Sequence, residues 1–197
     1  MTSPEMFRPY INYWLSGIGG AMSGLFLWSS FVQGGTVTEW TGIMIAILII
    51  DLIYIFLLRP KIIFYDEGLI ITNPVTQYRI GWQDVEEIET RWALTLELKG
   101  RRISAWAAPG PGRHHARTVH PSEVKGLRIA ETGSIRPALS PRTDSGVATH
   151  LAQLRLDQYR SKTSAPSLDF EVTHFWQAPL VGIVCLIGAV ILNFLSH

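Results

Sequence analysis

The residue most suggestive of chemistry is Asp51, inside the run "IMIAILIIDLIYIFLLRP". It stands eight residues before Arg59, which places it about 12 Å along a helix from that cation. A charged carboxylate at the centre of a bilayer costs about 2.5–3.5 kcal/mol, so Asp51 is expected to face other helices and to find a donor. At matching depth the first apolar run offers Ser16 or Tyr13. Three roles stay open for Asp51: a structural hydrogen bond, docking to a partner helix, and proton or ion handling. A proton path would need a relay of such groups, and the apolar runs carry only this acid.

Other chemically suggestive residues point away from catalysis. His114, His115 and His120 in "HHARTVH" have no Cys or carboxylate at ligand spacing, so no metal is expected there. No phosphate-binding glycine loop, serine elbow or Cys/His nucleophile pattern occurs. Cys185 is the sole cysteine, which excludes an internal disulfide and gives no metal or redox pair. The expectation is a non-enzymatic chain without cofactor or metal.

The elements that must position these residues follow from charge. Of the 197 residues, 47% are hydrophobic and 17% charged, against about 25% charged in an ordinary soluble domain. The deficit is local: no Asp, Glu, Lys or Arg lies between Arg8 and Glu39 or from Val172 to His197, and only Asp51 between Glu39 and Arg59. Tyr13–Val32, Trp40–Leu58 and Phe175–Leu195 therefore each read as a transmembrane helix, since about 20 apolar residues span the hydrocarbon core. Trp14, Trp28, Trp40 and Trp176 stand near the ends of these runs, where indole rings prefer the interface. All 17 Lys and Arg occur at Arg8 or between Arg59 and Lys162. The positive-inside rule then puts residues 1–12 and 59–174 in the cytoplasm, and residues 33–39 and the C-terminus outside a plasma (inner) membrane.

Within the first span Ser16, Gly20 and Gly24 recur at steps of four, a small-residue face that lets helices approach closely; Ala178 and Gly182 repeat it more weakly in the third. Such faces serve packing inside the bundle or against other integral membrane proteins.

Residues 59–107 read as short strands broken by turn residues: "KIIFY", "LIIT", "VTQYRI", "VEEIETR", "ALTLEL" and "RRISAWA". The alternation Leu94, Leu96, Leu98 predicts a sheet with one buried face. In "IGWQDVEEIE", Trp82 is expected to plug the core and Asp84 to bond the backbone N–H groups of its own turn. Residues 108–143 are rich in Pro, Gly and Ser and read as an insertion, with "LRIA" a further candidate strand. Residues 144–162 predict a helix capped by Asp144 or Ser145, and residues 163–174 a linker.

Two apolar spans leading into "RPKIIFYDEGLIITN" and then "IGWQDVEEIE" resemble the bacterial PH-like domain membrane proteins of actinobacteria. The resemblance covers about residues 38–107 and extends to the helix. It implies a PH-like all-β barrel of seven strands capped by one helix; it implies no catalysis.

Partners follow from the same residues. Arg59 and Lys61 at the membrane exit read as interfacial anchors and, with Arg101 and Arg102 on a turn, as candidates for lipid headgroup contact. Residues 59–162 carry 16 basic and 11 acidic residues, too mild an excess for nucleic-acid binding. Two functions are compatible with this pattern: an accessory or scaffold subunit of a membrane complex, or a lipid headgroup-binding module acting alone.

Overall fold

The computed structural model describes residues 4–90, 92–110, 143–162 and 166–195. The chain divides into two compact units, one of helices and one built mainly of strands.

In the helical unit, α1 (Ile11–Gln33), α2 (Thr36–Ile53) and α4 (Gln177–Leu195) are the elements long and apolar enough to cross a membrane, α2 being prolonged by a π-helical turn over Tyr54–Leu58. The first two spans meet across only Gly34 and Gly35, both at positive φ, so the loop between them is shorter than residues 33–39. The chain reverses there in a backbone conformation that side chains disfavour. Helix α2 packs against both α1 and α4. Large apolar side chains of α1 and α4, among them Trp14, Leu25, Val184 and Leu186, point outward, while Ser23, Ser30, Ala46, Cys185 and Ala189 are buried. The bundle therefore closes on its small residues, as helices do where lipid replaces water.

In the other unit β1 (Glu5–Phe7), β2 (Lys61–Phe64), β3 (Gly68–Thr72), β4 (Thr76–Gly81) and β8 (Glu171–His174) form a sheet in the order β1-β2-β3-β4-β8. A second sheet holds β5 (Val85–Thr90), β6 (Ala93–Leu98) and β7 (Arg101–Pro109). The ladders from β1 to β4 and from β5 to β7 are antiparallel. Between the sheets lies one core, with Ile62, Phe64, Leu69, Ile71, Ile80, Leu94 and Leu96 fully buried and Ala148, Ala152 and Leu156 of α3 (Asp144–Arg160) closing it.

The expected closed barrel is not formed: the described strands make two separate sheets. The break has a local cause. A 3-10 turn over Trp82–Asp84 carries the chain out of the first sheet and into the second. At the β7 edge the side chain of Asn73 stands in for a strand, donating to Ser104 O (2.9 Å) and accepting from Trp106 N–H (2.8 Å). One amide thus satisfies a donor and an acceptor that a continuous ladder would have paired.

Two strands lie where none was expected. Glu5–Phe7 belongs to the stretch read as N-terminal tail, and Glu171–His174 to the stretch read as linker. The cap of α3 is Thr143, whose Oγ1 accepts from Gly146 N–H (3.0 Å); Asp144 and Ser145 fall inside the first turn. Burial pushes the Asp144 carboxyl above its ordinary range. Helix α3 is fastened by a buried Thr90–Thr149 hydroxyl pair (2.7 Å) and by Arg155, which pairs with Asp66 (2.6 Å) and Glu5 (3.2 Å). Most of residues 108–143, with "LRIA", His114, His115 and His120, lies outside the described residues.

Candidate functional site: the faces of the helix bundle

Helix α1 has two different sides. Asn12, Ser16, Gly19, Ser23 and Ser30 follow one another at steps of four, three, four and seven, the spacing of a seam between nearly antiparallel helices. Asn12 Nδ2 donates to Leu57 O (3.1 Å) and Ser23 Oγ to Ala46 O (3.3 Å). A Cβ placed on Gly19 would lie 2.8 Å from Ile53 Cδ1, and one on Gly42 would collide with Ser30. Ser16 Oγ is returned to its own helix, donating to Asn12 O (2.6 Å). An adjoining, outward side carries Gly17, Gly20 and Gly24, and a Cβ added to any of these meets no atom within 4 Å. Ser16 is half-buried at the border of the two sides, one turn from Gly20, while Gly20 and Gly24 face outward. Tyr10, Tyr13, Trp14, Gly17, Ile18 and Ala21 border an open groove of about 840 Å³ on the exposed side.

The second seam joins α2 to α4 through Ala178, Gly182, Cys185 and Ala189, again at steps of four and three. Asp51 lies in this seam. A Cβ on Gly182 would stand 2.8 Å from Asp51 Oδ2 and 3.3 Å from Leu48, and one on Gly188 would collide with Met44. The expected donors Ser16 and Tyr13 belong to α1, whereas the carboxylate turns toward α4, where Oδ2 is enclosed against Gly182. The small-residue pair Ala178 and Gly182 thus belongs to the bundle's own packing, and its glycine is the niche that admits Asp51.

Arg59 is turned inward, onto its own chain. It is buried, its Nη1 donates to Pro74 O, and its guanidinium lies 4.1 Å over the ring of Phe175. Phe175 N–H in turn donates to Val75 O (2.8 Å). The π-helical turn brings this about: Arg59 N–H reaches back to Tyr54 O (2.8 Å), one residue farther than in an α-helix. A clasp results, joining the end of α2, the Pro74–Thr76 turn and the start of α4.

The remaining candidates lie in the β unit. Lys61 is half-buried opposite Thr72. Arg102 pairs with Glu97 across the β6–β7 ladder, and Arg101 lies 5.4 Å from the ring of Phe170. Trp82 is fully buried with its Nε1 donating to Tyr65 O (3.1 Å), as a core plug requires. Asp84 departs from expectation: the turn is closed by Val85 N–H donating to Trp82 O, and the carboxylate hydrogen-bonds none of the described residues.

Among the described residues no three or more His, Cys, Asp or Glu side chains gather as a metal site would need. The seam residues Asn12, Ser23, Ser30 and Gly188 were not singled out in the sequence, although the spacing 16-23-30 for serine in an apolar run is a readable signal. Comparison with protein-family models, with curated proteins and with solved structures gives no match to this chain.

Proposed function

We propose that the chain is a non-enzymatic, multi-pass plasma-membrane protein serving as an accessory or scaffold subunit of a membrane protein complex. The observation that carries this reading is the outward side of α1, where a Cβ on Gly17, Gly20 or Gly24 would meet no described atom within 4 Å. Glycine inside a helix costs about 1 kcal/mol relative to alanine, and lipid gains nothing from a glycine surface. Another transmembrane helix does gain from it, by close backbone approach.

Three spans put the two termini on opposite sides of the bilayer. Pairing of β1 with β2 supports placing the N-terminus on the side of the β unit, and the cationic bias supports that side being the cytoplasm. The PH-like kinship rests on the sequence resemblance, supported by two antiparallel sheets and one packed helix.

Gly20→Leu is the test. The variant is expected to insert and to keep its β unit, while an integral membrane partner that co-purifies stoichiometrically with the native chain in mild detergent is lost. A native chain that purifies alone from its own membrane, at every detergent strength, overturns the reading.

A further inference from the structure

Where the Lys99-Gly100 turn between β6 and β7 meets the Trp82–Asp84 corner, Asp84, Leu98, Lys99, Arg101 and Phe170 line a depression of about 300 Å³. Gly100 takes φ +74°, a left-handed conformation that lets so short a turn carry a cationic side chain on each side. Three charges therefore border one small space. The Asp84 carboxylate and the Lys99 ammonium form no hydrogen bond or ion pair with any described residue, and they do not pair with each other. Arg101 is held over the Phe170 ring, which orients its guanidinium and supplies an apolar wall beside Leu98.

Opposite charges that share a depression without closing on one another leave room for a ligand that carries both signs. A phosphomonoester dianion would be drawn to Lys99 and Arg101 but repelled by Asp84. A bare amine would meet the converse. A phosphodiester places one negative charge on the guanidinium fork and the ammonium, and a primary ammonium on the same ligand donates hydrogen bonds to the carboxylate. We propose that this depression is a binding site for a phosphoethanolamine group, carried by a lipid or by a soluble glycerophosphodiester.

The test uses the full chain in a phospholipid-free detergent, with glycerophosphoethanolamine titrated and followed by phosphorus NMR. Saturable binding is expected. Asp84→Asn should weaken it about tenfold, the worth of one charge-assisted contact. Glycerophosphocholine, whose quaternary ammonium donates no hydrogen bond, should bind the native chain as weakly as glycerophosphoethanolamine binds Asp84→Asn. Lys99→Gln should weaken both ligands alike. Thermal melting of each variant at the native temperature verifies that the fold is intact.

Nanodiscs then separate the sources. Phosphatidylethanolamine in the disc should block the soluble ligand if the group is a lipid headgroup and leave it unaffected if the source is soluble; either result supports the site. Absence of saturable binding, or equal binding of glycerol 3-phosphate by native and Asp84→Asn chains, overturns the proposal.

Discussion

The two units of this chain are inside-out versions of each other. In the β unit Ile62, Phe64, Leu69, Ile71, Leu94, Leu96 and Trp82 are sealed inside, and Lys99, Arg101 and Arg102 lie outside. In the helical unit Trp14, Trp28, Leu180, Val184, Leu186 and Phe194 lie outside, and serine, glycine, alanine and cysteine hold the interior. The same backbone rules apply to both. What differs is the solvent: apolar burial drives the first, whereas lipid removes that drive and leaves close packing to decide the second.

Five substitutions would break or sharpen that contrast, and the largest effect falls in the β unit. Trp82→Ala opens a cavity in a sealed core and strands Tyr65 O, with an expected loss of about 3–5 kcal/mol in denaturant unfolding of that unit. Gly182→Leu should follow. Its side chain must displace Asp51 and Leu48, so α4 should separate from α2 with a loss of about 1–3 kcal/mol in detergent-driven unfolding. Leu186→Ala, four residues on but facing outward, removes apolar volume and should change the same measurement by less than about 0.5 kcal/mol. If Leu186→Ala proves the more damaging of the two, the inside-out description fails.

Arg155→Gln tests polar fastening in the water-facing unit. It removes the ion pairs to Asp66 and Glu5 together, and about 1–3 kcal/mol should be lost in the melting of α3. Glu5 is half exposed, so most of the loss should come from Asp66.

The smallest effect is a pH dependence. The folded state raises the Asp144 carboxyl above 3.8 by burial, so it binds a proton more tightly than the unfolded state. The associated stability is fully present below the unfolded value and is lost as pH rises through the folded one. Asp144→Asn should flatten that slope in melting curves taken from acid toward neutral pH.

Legibility in the sequence follows the range of the forces involved. The three spans were readable to within a few residues, because charge-free length is a local property; only the glycine reversal was tighter than supposed. Strands β2 to β7 were readable from alternation and turn residues, and the Trp82 plug from its place at a turn. The sheets' closure was not readable. Whether β7 meets another edge depends on Asn73 and on a 3-10 corner, neither of which changes the alternation. Strand β1 is three residues long and borrows its structure from β2, so nothing in "EMF" announces it. Depth in the bilayer alone does not identify the neighbour of Asp51, because the face a helix turns to each neighbour is set by where the small residues lie. Gly182 and Gly188 decide that face.

Strand β1 has one consequence for how the protein is made. Its hydrogen-bonding neighbour β2 is translated only after α1 and α2, so this segment must wait, unzipped, through the synthesis of two hydrophobic helices before its mate exists. The five-stranded sheet also lacks its other border, β8, until the chain has reached the threshold of α4. One border strand of this sheet is thus made well before the middle strands, and the other well after them.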